Sequence, residues 1–203
     1  RKGMPETALR KLTELERLVR PATLVDRAKA IVLTSYGSGL DVTDGDEEDD
    51  LRHYERAEAH AQELGELVAA DTAAFETLLP LLVENRQGRQ GRFGFGLAKG
   101  TDDPAGMWRM LSAAFVSASP SARSVQVLNG FLGGLNERDK PMFERLLDEA
   151  SADQALSEWL PLLQTSVKLD RRGCERLLLS LAQGKASIEM YQFLAYGSVT
   201  SEL

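Results

Sequence analysis

Apolar residues recur along this chain with a helical spacing of three or four positions. Between Phe93 and Leu181 the pattern returns with an offset of 35 residues. Five columns are apolar in all three rows: Phe93, Leu128 and Leu163; Leu97, Leu132 and Val167; Met107, Met142 and Leu177; Trp108, Phe143 and Leu178; Leu111, Leu146 and Leu181. A repeat of this length is typical of helix pairs that bury their apolar sides against neighbouring pairs. The pattern predicts an all-α fold, an α-solenoid of stacked HEAT-like helix pairs.

Start and stop signals predict the individual helices. Asp71, Asp103 (or Asp102), Asp139 and Asp170 are expected N-caps, because a short acidic side chain accepts hydrogen bonds from the first turn. In the last helix we expect Ile188, Tyr191 and Leu194 to face inward. The predicted helices are 5–21, 23–35, 51–70, 72–84, 93–99, 107–117, 121–135, 141–150, 153–167, 171–183 and 187–195.

The pattern divides the chain into three parts. Residues 1–36 read as a helical hairpin and residues 51–203 as the helical-repeat domain. Between them, residues 37–50 carry seven acids in the ten positions from Asp41 to Asp50. A run of like charges repels itself and buries nothing, so it predicts an exposed linker or loop. Its spacing does not match a calcium-binding EF-hand loop.

Composition and charge narrow the function classes. The chain is 43% hydrophobic and 27% charged, which is ordinary for a soluble protein. A net charge of −7 disfavours nucleic acid as a partner. The single cysteine, Cys174, cannot form an internal disulfide, and no apolar run is long enough to span a membrane, so we expect a cytoplasmic protein. Since the chain begins with Arg1, we expect a segment of a larger protein.

The sequence contains no recognisable motif for catalysis or for binding a cofactor or metal ion. A glycine-rich stretch invites comparison with a phosphate-binding loop, but Lys99-Gly100-Thr101 reverses the order that such a loop requires. These glycines, with those of the next row, are expected to let helices pack closely: Gly94, Gly96, Gly130, Gly133 and Gly134. His53 and His60 lie two helical turns apart, roughly 10 Å, which is too far to share one metal ion.

Two groups of residues are candidates for binding a partner protein. Arg86, Arg89 and Arg92 follow one another at intervals of three in a predicted loop. We expect them to lie in a solvated inter-repeat loop. They are also the best local candidates for contact with an acidic partner, and the acidic run at 41–50 of the same chain is one candidate for that partner. The second group consists of large aromatic side chains that can anchor a partner, Trp108, Trp159 and Tyr191.

Four stretches resemble a known kind of protein region: Arg92 to Gly100, Val125 to Leu132, Leu160 to Thr165 and Tyr191 to Gly197. They are similar to helical-repeat regions of large bacterial proteins, including proteins with an NTPase module of the NACHT or STAND type. The resemblance implies a sensor or scaffold role, with the nucleotide chemistry elsewhere. Since these 203 residues contain no Walker motif, no activity carries over.

The sequence leaves two functions open. The favoured hypothesis is a non-catalytic protein-binding or scaffolding segment, without a cofactor, that uses the solenoid face or its loops. The alternative is a helical enzyme or enzyme regulator in which Asp102, Asp103, Glu137 and Asp139 converge on one pocket. The position of these acids discriminates the two, because acids that stand separately at helix starts are structural.

Overall fold

The computed structural model describes residues 10–11, 21–34, 47–86 and 88–196, with the backbone alone at 47–53 and 196. Within these ranges the chain is helical and contains no strand, which confirms the all-α fold class. The first predicted helix, 5–21, lies outside them except for residues 10–11, which are helical, and residue 21, which is not. The α-helices are α1 (Leu24–Val32), α2 (Glu47–Ala69), α3 (Thr72–Glu84), α4 (Gln90–Gly100), α5 (Pro104–Ser117), α6 (Gln126–Arg138), α7 (Lys140–Ala152), α8 (Leu160–Gln164) and α9 (Arg171–Ala182); 3-10 helices span Ser157–Trp159 and Ile188–Tyr196.

Every second helix from α3 onward begins with the same capping arrangement. The carboxylate of an aspartate accepts a hydrogen bond from the backbone N–H three residues further on, which satisfies an otherwise unpaired donor of the first turn. The pairs are Asp71 with Ala74 (3.0 Å), Asp103 with Gly106 (2.9 Å), Asp139 with Met142 (3.1 Å) and Asp170 with Gly173 (2.8 Å). These hydrogen bonds confirm the four N-caps predicted from the sequence, although α5 begins at Pro104, ahead of its predicted start at Met107.

Helices α2, α4 and α6 form a layer in which neighbouring backbones touch. A Cβ atom on Gly96 would lie 2.0 Å from the carbonyl oxygen of Gln62, and one on Gly100 would lie 2.5 Å from that of Glu66. Since the contact advances along both helices together, α2 and α4 run parallel. Gly94 makes the equivalent approach to α6. The predicted close packing at the glycines is confirmed.

Helices α3, α5 and α7 provide the other side of the core. Trp108 of α5 stacks on Phe131 of α6 with ring centroids 6.2 Å apart. In the first two rows of the apolar alignment the column residues are buried, apart from the half-buried Met142: Phe93, Leu97, Met107, Trp108, Leu111, Leu128, Leu132, Phe143 and Leu146. For these two rows the alignment identifies the core correctly.

The third row departs from the alignment. Leu178 and Leu181 were expected in the core, but they are 65% and 46% exposed. The reason lies in the spacing of the caps, because Asp139 follows Asp103 by 36 residues whereas Asp170 follows Asp139 by only 31. Helix α9 therefore begins early, and a constant offset assigns its apolar positions to the wrong face.

Several predicted boundaries are also corrected. The predicted helix 153–167 is shorter and divided, because the Asp153 carboxylate accepts hydrogen bonds from two successive N–H groups, and the helical chain resumes only at Ser157. The last segment is a 3-10 helix in which Ile188 is exposed rather than inward. Helix α2 begins at Glu47, so the end of the acidic run is helical, while residues 35–46 lie outside the described residues.

Helix α1 packs against the rest of the fold. Its side chains Ala28 and Val32 belong to the hydrophobic core. The carbonyl groups at its C-terminal end accept hydrogen bonds from the loop between α3 and α4. The side-chain Nδ2 of Asn85 donates to Leu33 O at 2.9 Å, and the backbone N–H of Arg89 donates to Val32 O at 2.8 Å. Hydrogen bonds to the end of α1 therefore fix the position of the loop that leads into α4.

Candidate functional site

An open groove of about 930 Å³ runs across the layer formed by α2, α4 and α6 and reaches the segment after α8. Polar and apolar groups contribute about equally to its wall. We call it the polar groove and define it by Arg92, Gln126, Asn129, Asn136, Ser166 and Lys168, with Glu58, Lys140 and Asp170 at its edges. No group of these residues resembles a metal site, and the described ranges contain no cluster of three His, Cys, Asp or Glu residues that suits an ion.

Glycines keep the floor of the groove free of side chains. Gly91, Gly130 and Gly133 all line it. A Cβ atom on Gly130 would lie 1.8 Å from the carbonyl oxygen of Gly91, so α4 and α6 meet there through their backbones. The result is a shallow, continuous surface rather than a closed cavity between packed side chains.

Asn129, on α6, has a fixed side-chain orientation. Its Nδ2 donates to the carbonyl oxygen of Leu162 at 3.1 Å and to Oγ1 of Thr165 at 3.3 Å. An amide nitrogen must face these acceptors, so Oδ1 points away from them as an acceptor. No described protein atom donates to Oδ1, although it is buried. A buried acceptor without a donor costs about 1–3 kcal/mol unless water or a ligand pairs with it.

Ser166 repeats this situation across the groove. Its Oγ is buried and has no hydrogen-bond partner among the described residues. It lies just beyond Thr165, which contacts Asn129, and a Cβ atom on Gly133 would lie 3.3 Å from the Ser166 carbonyl oxygen. One fixed acceptor and one hydroxyl are therefore buried without a partner among the described residues, near the same step between α6 and α8.

The charged residues of the groove differ in how far they are engaged. The carboxylate of Glu58 is only 13% exposed and forms ion pairs with Arg89 (3.6 Å) and Arg92 (3.3 Å). Asp170 caps α9 and also lies 3.6 Å from Lys140. The side chains of Arg92 and Lys140 are 53% and 63% exposed, so they are more accessible than the two acids with which they pair.

Lys168 is the least engaged of these cations. It is exposed and forms no hydrogen bond or ion pair with any residue in the described ranges. The third acid of the groove, Glu137, is 58% exposed and pairs with Lys99 at 3.0 Å. Three acidic and three basic side chains therefore line the groove, and its charge is balanced, although the chain as a whole carries a net charge of −7.

The three candidate arginines have separate roles. Arg86 donates to the backbone carbonyls of Arg123 (3.2 Å) and Ser121 (2.8 Å) and so joins two loops. Arg89 is buried and donates to Ile31 O at 3.2 Å. Only Arg92 lines the polar groove, where its guanidinium also lies 6.0 Å from the Phe95 ring centroid. Since α4 begins at Gln90, Arg92 is a helical residue and not part of a loop.

The three candidate aromatic residues do not lie in the groove. Trp108 is buried in the core against Phe131. Trp159 is half-buried and makes an edge contact with the Phe115 ring at 5.0 Å. Tyr191 is half-buried, with its hydroxyl 3.0 Å from Oγ of Ser180. The structure therefore does not bring these residues together with the arginines.

The four acids of the alternative hypothesis have different structural roles. Asp103 and Asp139 cap α5 and α7, and Glu137 pairs with Lys99. Asp102 is exposed just before α5, and it lines a different pocket together with Asp103. Three of the four are thus engaged in local structure, and only Glu137 lines the polar groove.

A cluster of charges beside the groove joins α7, α8 and α9. The buried guanidinium of Arg176 binds the Glu144 carboxylate, Asp148 Oδ1 at 2.6 Å and Gln164 Oε1 at 3.2 Å. Arg172 binds Asp148 Oδ2 at 2.5 Å. Partial burial raises the pKa of Asp148, but the hydrogen bonds and charges of Arg176 and Arg172 outweigh it, so the pKa lies below the ordinary value of 3.8.

Sequence reasoning missed most of the groove residues. Asn129 and Ser166 lie next to apolar column positions. The alignment considers only the apolar columns, so it does not identify the polar residues between them. One signal was present, since amide side chains stand at Gln126, Asn129 and Asn136 along a single helix. These recur at helical spacing, but only the fold shows that they face the same groove.

Comparison with protein families, with curated proteins and with solved structures finds no match. Within the described residues, no helix has the length and apolar character needed to cross a membrane.

Proposed function

We propose that this chain is a non-catalytic protein-binding or scaffolding segment, and that an extended segment of the partner binds in the polar groove. The repeated caps and the parallel layer of α2, α4 and α6 support the interpretation as an α-solenoid of HEAT-like helix pairs. In such an arrangement the helices of one layer offer a continuous surface. The groove across that layer is the observation that carries the proposal.

The size and chemistry of the groove favour a polypeptide over a small molecule. Small-molecule sites enclose most of their ligand, whereas this groove is open and has amide, hydroxyl and charged groups along its length. It crosses from α2 to the segment after α8. Three helix-to-helix steps of roughly 8 Å correspond to about seven residues of extended chain.

The enzyme alternative receives less support from the arrangement. Asp103 and Asp139 each satisfy the first turn of their own helix, and such capping is a structural role. We therefore treat these acids as parts of the scaffold and assign the groove to binding.

The proposal is tested by selecting binders from a random-peptide display library on the immobilised 203-residue chain. Binding of the selected peptides is then measured for Lys140→Glu, at the edge of the groove, and for Arg109→Glu, an exposed cation outside it. We expect the first variant to lose affinity and the second to retain it. A photo-crosslinking amino acid at Asn136 should label the peptides. Selection without enriched binders, or binders unaffected by Lys140→Glu and unlabelled from Asn136, would overturn the proposal.

A further inference from the structure

We propose that two copies of this chain associate through α9, which pairs antiparallel with α9 of the second copy about a two-fold axis. The inference concerns a surface other than the polar groove and goes beyond the proposed function. It follows from two independent features of α9, the side on which its leucines lie and the distribution of charge along the helix.

Helix α9 directs most of its leucines outward. Leu178, Leu179 and Leu181 are 65%, 56% and 46% exposed. The residues that the helix buries are mostly small or polar: Gly173, Arg176, Leu177 and Ser180. A helix on the surface of a monomer normally has the reverse arrangement, with its apolar side against the core. The outward leucines of α9 therefore indicate a surface that is covered in an assembly.

The exposed residues form one continuous outer face on α9. Its centre is a strip of exposed residues at intervals of three and four, Arg171, Glu175, Leu178 and Ala182. Leu179 and Leu181 flank this strip. The 3-10 segment that follows α9 packs on the opposite side, because the hydroxyl of Tyr191 lies 3.0 Å from Oγ of Ser180. This segment therefore does not cover the outer face.

The place of α9 in the fold is consistent with a missing cover. It is the last α-helix that the structure describes. In a stack of helix pairs each pair covers its neighbour, and a terminal pair needs a polar outer face. Elsewhere in the described ranges, exposed leucines stand alone on their helices, such as Leu67 on α2 and Leu81 on α3. Only α9 combines several of them on one face.

The charges of α9 favour a second copy as the cover. Arg171 and Arg172 lie in its first turn without an acid, and its last turn contains no basic residue. This is the reverse of the distribution that the helix dipole favours. Arg172 binds Asp148, whereas Arg171 pairs with Glu175 of its own helix and is 88% exposed.

An antiparallel pair of α9 helices reverses this disadvantage. When the two helices overlap along their whole length, Arg171 of each copy lies beside Ala182 of the other, at the C-terminal end of that helix. A cation is stabilised at this end by the helix dipole. The two-fold axis forms the contact twice and brings Leu178 of both copies close to the centre.

The size of the contact determines its expected strength. Two antiparallel helices of 12 residues, with their flanking leucines, bury roughly 1,000 Å² in total, which is the lower limit for a specific interface. We therefore expect a dissociation constant of about micromolar magnitude. Such a dimer carries two polar grooves, so a partner that contains two binding segments would bind it with avidity.

The test measures the mass of the full 203-residue chain by sedimentation equilibrium at about 1–100 μM, the range in which a micromolar dimer dissociates. We expect the average mass to rise from monomer to dimer and no further, because a two-fold contact closes on itself. Leu178→Glu should keep the chain monomeric. Leu67→Glu replaces a similarly exposed leucine on α2 and should leave the dimer intact. Circular dichroism shows whether both variants are folded.

Two substitutions of Ala182 test the antiparallel arrangement. Ala182→Glu places an acid beside Arg171 of the other copy and should tighten the dimer by about threefold to tenfold, since the contact occurs twice. Ala182→Lys should weaken it by a similar factor. Within one copy the effects have the opposite sign, because an acid at a helix C-terminus is unfavourable and a lysine is favourable. Thermal unfolding of the monomer therefore separates dimer contacts from helix stability.

The outcomes are decisive for the dimer and independent of the polar groove. A chain that stays monomeric, a mass that rises beyond the dimer, or a dimer unaffected by Leu178→Glu would overturn the inference. Equal responses to the two Ala182 substitutions would reject the antiparallel pairing. Peptide binding in the polar groove should persist in Leu178→Glu, so failure of the dimer leaves the proposed function standing.

Discussion

A Cβ atom on Gly130 would lie 1.8 Å from the carbonyl oxygen of Gly91, whereas a Cβ atom on Gly91 would meet nothing nearer than the Gln126 carbonyl oxygen at 3.8 Å. The two glycines face each other across the α4–α6 contact, yet only one of them is sterically required. The obstacle at Gly130 is backbone, so it can be relieved only if the two helices separate.

We therefore expect Gly130→Ala and Gly91→Ala to differ sharply. Gly130→Ala should lower the free energy of unfolding by about 2 kcal/mol, because overpacking of this kind outweighs the higher helix propensity of alanine. Gly91→Ala should leave it unchanged or raise it slightly. Urea denaturation of both variants measures the difference, and equal effects would contradict the close backbone contact.

The buried pair of Arg176 and Glu144 gives a second prediction. Arg176→Met leaves the Glu144 carboxylate buried without its main partner, and should cost about 3–5 kcal/mol of unfolding free energy. Adding Glu144→Gln should recover part of this loss, because the buried charge is then absent. A double-mutant cycle in urea measures the coupling. Additive effects of the two substitutions would mean that the pair is not energetically linked.

Acid should weaken the contact between α7 and α9. The pKa of Asp148 is below 3.8 in the folded state because Arg176 and Arg172 bind its carboxylate. Its contribution is therefore present above the ordinary pKa and is lost as the pH falls through the lowered one. The side chain is 44% exposed, so solvent screens the interaction and a small effect is expected.

Unfolding free energies of the unsubstituted chain and of Asp148→Asn, measured from neutral to acidic pH, test this expectation. The gap between the two should be widest above the ordinary pKa and should close at lower pH. Arg172→Gln removes one of the two arginines and should move the acid-induced loss to higher pH. Parallel curves for the chain and Asp148→Asn would show that Asp148 has no linked role.

The capping role of Asp139 is directly measurable. Asp139→Ala should reduce the free energy of unfolding by about 1 kcal/mol, since it removes the acceptor for the Met142 N–H. Asp139→Ser should restore most of the loss, because a serine hydroxyl can accept the same hydrogen bond. If serine fails to compensate, the carboxylate has a role other than capping.

The helix starts were the most predictable part of the fold. A capping aspartate interacts with the first turn of its own helix. The caps Asp71, Asp139 and Asp170 can therefore be predicted from neighbouring residues in the sequence. The third repeat row was not predictable in the same way. The position of Leu178 depends on how many residues separate successive caps, and a fixed offset cannot detect that shortening.

The polar groove lay largely beyond sequence reasoning for a related reason. Whether Asn129 is an unpaired acceptor depends on Leu162 and Thr165, which lie on another helical element. Which charged side chains of the groove are paired likewise depends on contacts between helices, such as that of Lys99 with Glu137. Net composition records the total charge but not which charges neutralise one another.

The hydrogen bonds that tie α1 to Asn85 and Arg89 set a practical limit on where this protein can be divided. A recombinant fragment starting at Leu51 would lack the carbonyl groups of Ile31, Val32 and Leu33 and would leave the Arg89 guanidinium short of a buried acceptor. The apolar faces under Ala28 and Val32 would become solvent-exposed as well. A smaller expressible unit should therefore begin upstream of Thr23.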